Sequence, residues 1–83
     1  MISAIVTSLN PDNLLAMPSG DVDLNSLLGR KARYVDKSGK IWPATVVKVD
    51  EPFVVIKFDE FPSGLGQSQL LDIMEEGEDI NQV

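Results

Sequence analysis

The strongest constraint on the fold lies in the middle of the chain, where a short turn connects two segments of strand-like sequence. Residues 31–36 alternate between polar and apolar side chains, which is the period of a half-buried β-strand. The turn contains Gly39, which adopts a positive φ angle at little cost, as tight hairpin turns require. A longer apolar segment, residues 41–49, follows and includes Trp42. This pattern predicts a β-hairpin.

A further apolar segment follows the predicted hairpin, and a short helical turn precedes the hairpin. Residues 53–58 are almost continuously apolar, which predicts a strand that is buried on both faces along part of its length. In the helical turn, Asp23 is a suitable capping residue and Gly29 is suited to end the turn in the left-handed region. Three leucines of this turn are expected to share one face and to close one end of a barrel. They are Leu24, Leu27 and Leu28.

After residue 58 the chain carries a loop and a short apolar segment. Residues 59–67 contain a proline and two glycines, and loops of this length in small domains are often functional. Residues 68–73 return either as a short strand or as a single turn, with Leu70, Leu71 and Ile73 expected to pack inward.

The two ends of the chain differ in composition from the central part. Residues 1–22 predict an N-terminal arm whose apolar side chains pack either on its own barrel or on a neighbouring subunit. Residues 23–74 are assigned to the barrel. Residues 75–83 are acidic and polar and predict a flexible tail.

Composition excludes several kinds of chemistry. The 83-residue chain has no cysteine and no histidine, so it has neither thiolates nor the commonest metal ligand and acid–base group. We therefore predict no catalytic residue, no metal site and no cofactor. No segment has the apolar length that spans a membrane, and we expect a cytoplasmic protein without a membrane partner.

Charge is distributed unevenly along the chain, whose formal net charge is −6. Residues 30–48 are strongly basic and residues 50–79 strongly acidic. The basic part supplies a patch that, with nearby aromatic rings, makes nucleic-acid binding a third hypothesis. The acidic part disfavours it, because like charges repel a phosphate within a Debye length of about 8 Å. The patch comprises Arg30, Lys31, Arg33 and Lys48.

The aromatic residues form a candidate site for a ligand or a protein partner. Several rings around a cation hold it by cation–π attraction, and a nearby carboxylate adds an ionic contact. The alternative is that these rings fill the core, because a small barrel needs most of its few aromatic side chains there. The candidate binding residues are Tyr34, Trp42, Phe58, Phe61, Asp59 and Gln67.

Residues 27–74 resemble the small SH3-like and Tudor-like barrels. The resemblance rests on a Gly-x-x-Trp sequence at Gly39 and Trp42, followed by Ala-x-Val at Ala44 and Val46. It implies an all-β fold, namely a small SH3-like barrel of about five strands with an N-terminal arm and one short helical turn. Such barrels commonly bind other molecules.

A more local resemblance is to the plasmid-borne, trimethoprim-resistant (type II) dihydrofolate reductases. The sequence Lys-Ser-Gly-x-x-Trp at residues 37–42 is similar to a turn of that family. Pro62 matches the proline of the family's late loop, and Leu70 and Ile73 match its Leu-x-x-Ile ending. The resemblance implies a homotetramer with a central pore for NADPH and dihydrofolate. The family's Val-Gln-Ile-Tyr motif is replaced here by other residues at 65–69.

Taken together, these patterns favour a non-catalytic protein-interaction or assembly module. The expected partner is another protein or the chain itself, in a homo-oligomer formed through the arm and an exposed strand edge. The alternative is an NADPH-dependent, reductase-like homotetramer, and nucleic-acid binding is the third hypothesis.

Overall fold

The computed structural model describes residues 1–81, which form six β-strands and one short 3₁₀ helix. The strands pair antiparallel in the order β1-β2-β5-β4-β3-β6, and β6 pairs in turn with β1, which closes a barrel. The prediction of a small all-β barrel is confirmed, with six strands where about five were expected. The strands are β1 (Ile2–Ser8), β2 (Leu14–Pro18), β3 (Lys31–Val35), β4 (Ile41–Asp50), β5 (Phe53–Phe58) and β6 (Leu70–Ile73), and the 3₁₀ helix is Leu24–Leu27.

Strands β1 and β2 lie in residues 1–22, the segment for which the sequence predicts an arm. β1 pairs with β2 and β6, and β2 pairs with β5, so both strands are part of the barrel wall. The segment therefore packs on its own barrel, which is the first of the two positions that the sequence leaves open. The sequence predicts association through an exposed strand edge. Because the barrel is closed, residues 1–81 present no unpaired strand edge for such an association.

The core lies inside the barrel and is built from small and branched apolar side chains. The accessible surface of 4960 Å² is close to the roughly 4900 Å² expected for a folded monomer of 9.1 kDa. The barrel therefore buries its core without help from a partner. Its largest fully buried side chains include Leu14, Ile56, Leu71, Ile73, Val6, Val46 and Val54.

The central hairpin has the predicted form. Tyr34 pairs with Trp42 across β3 and β4, and the turn between the strands contains Gly39 at a φ of 87°. In the 3₁₀ helix, the Asp23 carboxylate accepts a hydrogen bond from the backbone N–H of Asn25 at 3.1 Å, which confirms the predicted cap. Gly29 follows with a φ of 83°.

Two leucines that were expected to face the core are exposed instead. Leu28 is 55% exposed, because a 3₁₀ helix has three residues per turn and aligns Leu24 with Leu27 but not with Leu28. Leu70 is 60% exposed, because it begins a true strand in which alternate side chains face opposite sides. Its neighbours Leu71 and Ile73 are buried as predicted.

The described part of the acidic C-terminal segment, residues 75–81, contacts the barrel. The Met1 ammonium lies 2.8 Å from a carboxylate oxygen of Glu78, and the Arg33 guanidinium donates a hydrogen bond to the carbonyl oxygen of Ile80. The rest of the predicted flexible tail, residues 82–83, lies outside the described residues. No helix within residues 1–81 has the length and apolar character needed to cross a membrane.

Candidate functional site

A groove of about 340 Å³ lies where the β3–β4 turn meets the loop that follows β5. The Tyr34 hydroxyl donates a weak hydrogen bond to the carbonyl oxygen of Gly64 at 3.5 Å, which links the two segments. The structure thus brings the Lys-Ser-Gly turn beside the proline- and glycine-containing loop, as a binding site built from both would require. The groove is lined by Tyr34, Asp36, Lys37, Ser38, Ser63 and Gly64.

The carboxylate of Asp36 organises this turn. One of its oxygens accepts hydrogen bonds from the Ser38 hydroxyl at 2.6 Å, the Ser38 backbone N–H at 2.9 Å and the Lys40 backbone N–H at 3.0 Å. The other accepts a hydrogen bond from the Trp42 indole at 3.0 Å. The bonds from the Ser38 hydroxyl and the Trp42 indole lower the pKa of Asp36 to about 2, so the group is ionised at neutral pH.

Trp42 already has a cationic neighbour within the chain. The Lys40 ammonium lies 4.0 Å from the centre of the indole ring, which is cation–π geometry. The ring is also partly buried against the core. A ligand cation stacked on the same face would have to displace Lys40.

Two of the other aromatic candidates are core residues. Tyr34 and Phe58 are buried, whereas Phe61 is partly buried and packs against the core cluster from its edge. The rings of Phe58 and Phe61 meet edge to face with their centres 5.8 Å apart. This arrangement matches the core alternative for Tyr34 and Phe58 and leaves Trp42 and Phe61 as the partly accessible rings.

The two polar candidates lie at different places. Asp59 is exposed beside a second groove of about 490 Å³, which Lys31 and residues 78–81 also line. The Gln67 side chain donates a hydrogen bond to the backbone carbonyl of Thr7 at 3.0 Å and so ties the loop to β1. Gln67 therefore fixes the loop position on the barrel.

The structure does not present the four basic residues as one exposed patch. Arg33 is only 6% exposed, and its guanidinium donates to the Asp72 carboxylate at 3.1 Å as well as to Ile80. Arg30 donates to the carbonyl oxygen of Ser26 at 3.4 Å. Lys31 and Lys48 remain exposed on the outer face of the sheet.

A surface that the sequence interpretation misses lies on the outside of the barrel. Ile5 on β1 pairs with Met17 on β2 and with Leu70 on β6, which forms one apolar row across three strands. Beside it, Leu15 on β2 pairs with Val55 on β5, and the row reaches the bulge of β4. We call this surface the outer apolar patch. It comprises Ile5, Leu15, Met17 and Leu70, which lie on the neighbouring strands β6, β1 and β2.

Several side chains of the outer apolar patch are open to solvent. Leu70 and Met17 are 60% and 41% exposed, whereas Val55, the β5 partner of Leu15, is buried. A sequence signal for this patch exists, because Leu15 stands between the core residues Leu14 and Ala16 and makes β2 apolar on both faces. The signal can be interpreted only when the pairing of β1 with β2 and β6 is known.

Compared by sequence, the chain matches no protein-family model and has no significant match among curated proteins. In the described part of the chain, no group of three or more carboxylates is placed to hold a metal ion. The fold and its surfaces define the class of molecule as a small, closed, antiparallel six-stranded β-barrel with an apolar outer patch.

Proposed function

We propose that this chain is a non-catalytic protein-interaction or assembly module, built on an SH3-like barrel, and that the outer apolar patch is its binding surface. The observation that carries this proposal is the exposure of Leu70 and Met17, which lie on either side of Ile5 on three neighbouring strands of the wall. The core lies beneath them on the inner face of the same strands, and these side chains remain open to solvent on the outer face. Apolar patches on soluble proteins commonly mark interaction sites.

The barrel also limits how a partner can bind. A closed sheet has no unpaired edge, so a partner strand cannot be added to it by backbone hydrogen bonds. Binding therefore relies on side chains, and the patch lies on three paired strands that hold those side chains in fixed positions. Burying such apolar area contributes about 25 cal/mol per Å² before the costs of association.

The experiment compares the capture of partners by the wild-type chain and by Leu70→Ser, with Val35→Ser as the matched control. Val35 is also exposed, at 42%, but lies on β3, outside the patch. Wild type and control are expected to retain the same partner, either another protein or untagged copies of the chain, and Leu70→Ser about tenfold less. Equal retention by all three would contradict the proposal.

A further inference from the structure

The C-terminal segment, residues 75–81, covers a charged side chain on the outside of the barrel. Ala32 and Tyr34 of β3 face the core, so Arg33 between them faces outward. An outward-facing arginine is ordinarily open to solvent, yet Arg33 is only 6% exposed. Its guanidinium donates a hydrogen bond to the backbone carbonyl of Ile80. Arg33 therefore lies beneath the C-terminal segment.

The contacts that hold the C-terminal segment on the barrel are mostly polar. Glu78 lies 2.8 Å from the Met1 ammonium, and Glu76, whose side chain is 91% exposed, lies 3.9 Å from the Arg30 guanidinium. Ion pairs this close to solvent contribute little to stability. Ile80 is the single aliphatic side chain of the segment and is only partly buried. Because segments with few buried apolar contacts open at low cost, we expect this one to detach while the strands stay folded.

A groove of about 490 Å³ remains between the C-terminal segment and the barrel. One side of it is formed by residues 78–81 and the other by the barrel wall. The groove adjoins the covered arginine, because Pro43 in its wall is the direct strand partner of Arg33. The segment thus occupies part of a concave surface without filling it. The residues on the barrel side are Lys31, Pro43, Ala44 and Asp59.

The covered surface and its cover have complementary charges. The cover carries the carboxylates of Glu75, Glu76, Glu78 and Asp79. The barrel side carries the cations Arg30, Lys31 and Arg33 and the carboxylates Asp59 and Asp72. Cations outnumber carboxylates on the barrel side, so this surface favours an anionic partner. A guanidinium that binds a peptide carbonyl beside it also suits an acidic peptide, because its fixed fork of donors serves carbonyl and carboxylate oxygens alike.

We infer that the outer face of β3 is a binding site for an acidic peptide segment of a partner protein, and that the C-terminal segment is its internal competitor. The segment is itself an acidic peptide seated on this site. A partner peptide binds by displacing it, so the apparent affinity is reduced by the fraction of molecules in which the site is uncovered. This site lies outside the outer apolar patch, and it does not depend on the proposed function of that patch.

The test measures binding of a synthetic peptide with the sequence of residues 75–81 to the full chain by fluorescence anisotropy. Ile80→Ser removes the aliphatic anchor of the C-terminal segment, so it should uncover the site and strengthen peptide binding by about fivefold or more. Val47→Ser is the matched control, because Val47 is also aliphatic and 46% exposed but lies at the bulge of β4. It should bind the peptide as the wild type does.

A second set of variants identifies the site. In the Ile80→Ser chain, Arg33→Gln should weaken peptide binding by about tenfold, since a charge-assisted hydrogen bond is lost. Because Arg33 is buried, circular dichroism checks that this variant is folded. Lys31→Gln is the second variant, because Lys31 is exposed in the wall of the groove and its loss should weaken binding without affecting the fold.

Three outcomes would overturn the inference. The first is that the peptide binds Ile80→Ser no more tightly than the wild type, or binds neither chain, because the C-terminal segment is then not a competitor. The second is equal binding of the same peptide with every carboxylate replaced by its amide, because the site would then not select acidic groups. The third is that single-stranded oligothymidylate binds Ile80→Ser and the acidic peptide does not, which would assign the site to nucleic acid.

Discussion

Asp36 shows how one side chain determines the geometry of the central hairpin. Its carboxylate accepts hydrogen bonds from two backbone N–H groups of the turn, from the Ser38 hydroxyl and from the Trp42 indole. The same residue therefore closes the turn and fixes the orientation of the tryptophan. Beside a groove, such an arrangement gives a rigid edge and holds a negative charge in place.

Replacing Asp36 by asparagine should destabilise the fold in a pH-dependent way. The pKa of Asp36 is lowered from 3.8 to about 2 in the folded chain, first by the Ser38 hydroxyl and then by the Trp42 indole. A carboxyl with a depressed folded pKa contributes its stability above the unfolded pKa and loses it as the pH falls through the folded value. The difference in melting temperature between wild type and Asp36→Asn should therefore be largest above pH 4 and shrink towards pH 2.

The control for this measurement is Asp59→Asn, which removes an exposed carboxylate of the loop after β5. Thermal unfolding by circular dichroism across the same pH range compares the three chains. A melting-temperature difference for Asp36→Asn that stays constant from pH 6 to pH 2 would show that the ionised hydrogen-bonded carboxylate is not its source.

At the scale of elements, the sequence predicts local structure well and distant pairing poorly. The β3–β4 hairpin and β5 follow from alternation, a glycine turn and a continuous apolar run, all of which are local signals. Strand β2 is different, because Leu14 pairs with Ile56 far along the chain. Leucine, alanine and methionine have little intrinsic preference for strands, so β2 is defined by its pairing with β5 together with its hairpin to β1.

The candidate site also has features that local sequence predicts and features that depend on contacts between distant parts of the chain. The turn and the loop at residues 59–67 are both predicted from local composition, and the structure shows that residues of both line one groove. Burial of Arg33 under the C-terminal segment cannot be predicted in this way, because it depends on contacts with Asp72 and Ile80 near the other end of the chain. The outer apolar patch likewise depends on the strand order around the barrel.

The place of β2 in the barrel can be tested with Leu14→Ala. Leu14 is fully buried, so the truncation should lower the free energy of unfolding by about 2–5 kcal/mol. Met17→Ala on the same strand faces outward and should change it by only about 0.5 kcal/mol. Urea unfolding at low protein concentration measures both. If Leu14→Ala proved as mild as Met17→Ala, residues 14–18 would behave as a loosely attached arm.

At the scale of the whole molecule, some of the opposed charges of the sequence meet within the described residues. The basic strand β3 contributes Arg33 to Asp72 and to the C-terminal segment, and the Met1 ammonium pairs with Glu78. Cations that are paired within the molecule in this way are not available to bind the phosphate groups of a nucleic acid. The nucleic-acid hypothesis is left with Lys31 and Lys48 as its exposed members of the basic patch.

The reductase-like alternative makes a prediction that separates it from an interaction module. NADPH is a polyanion, and the groove beside the Lys-Ser-Gly turn holds the ionised carboxylate of Asp36, in a chain of net charge −6. We therefore expect no saturable change in NADPH fluorescence at neutral pH and no tetramer by light scattering. Asp36→Asn is the matched control, because cofactor binding that appeared only in this variant would identify the carboxylate as the barrier. Saturable NADPH binding by a wild-type tetramer would instead favour the enzyme over the interaction module.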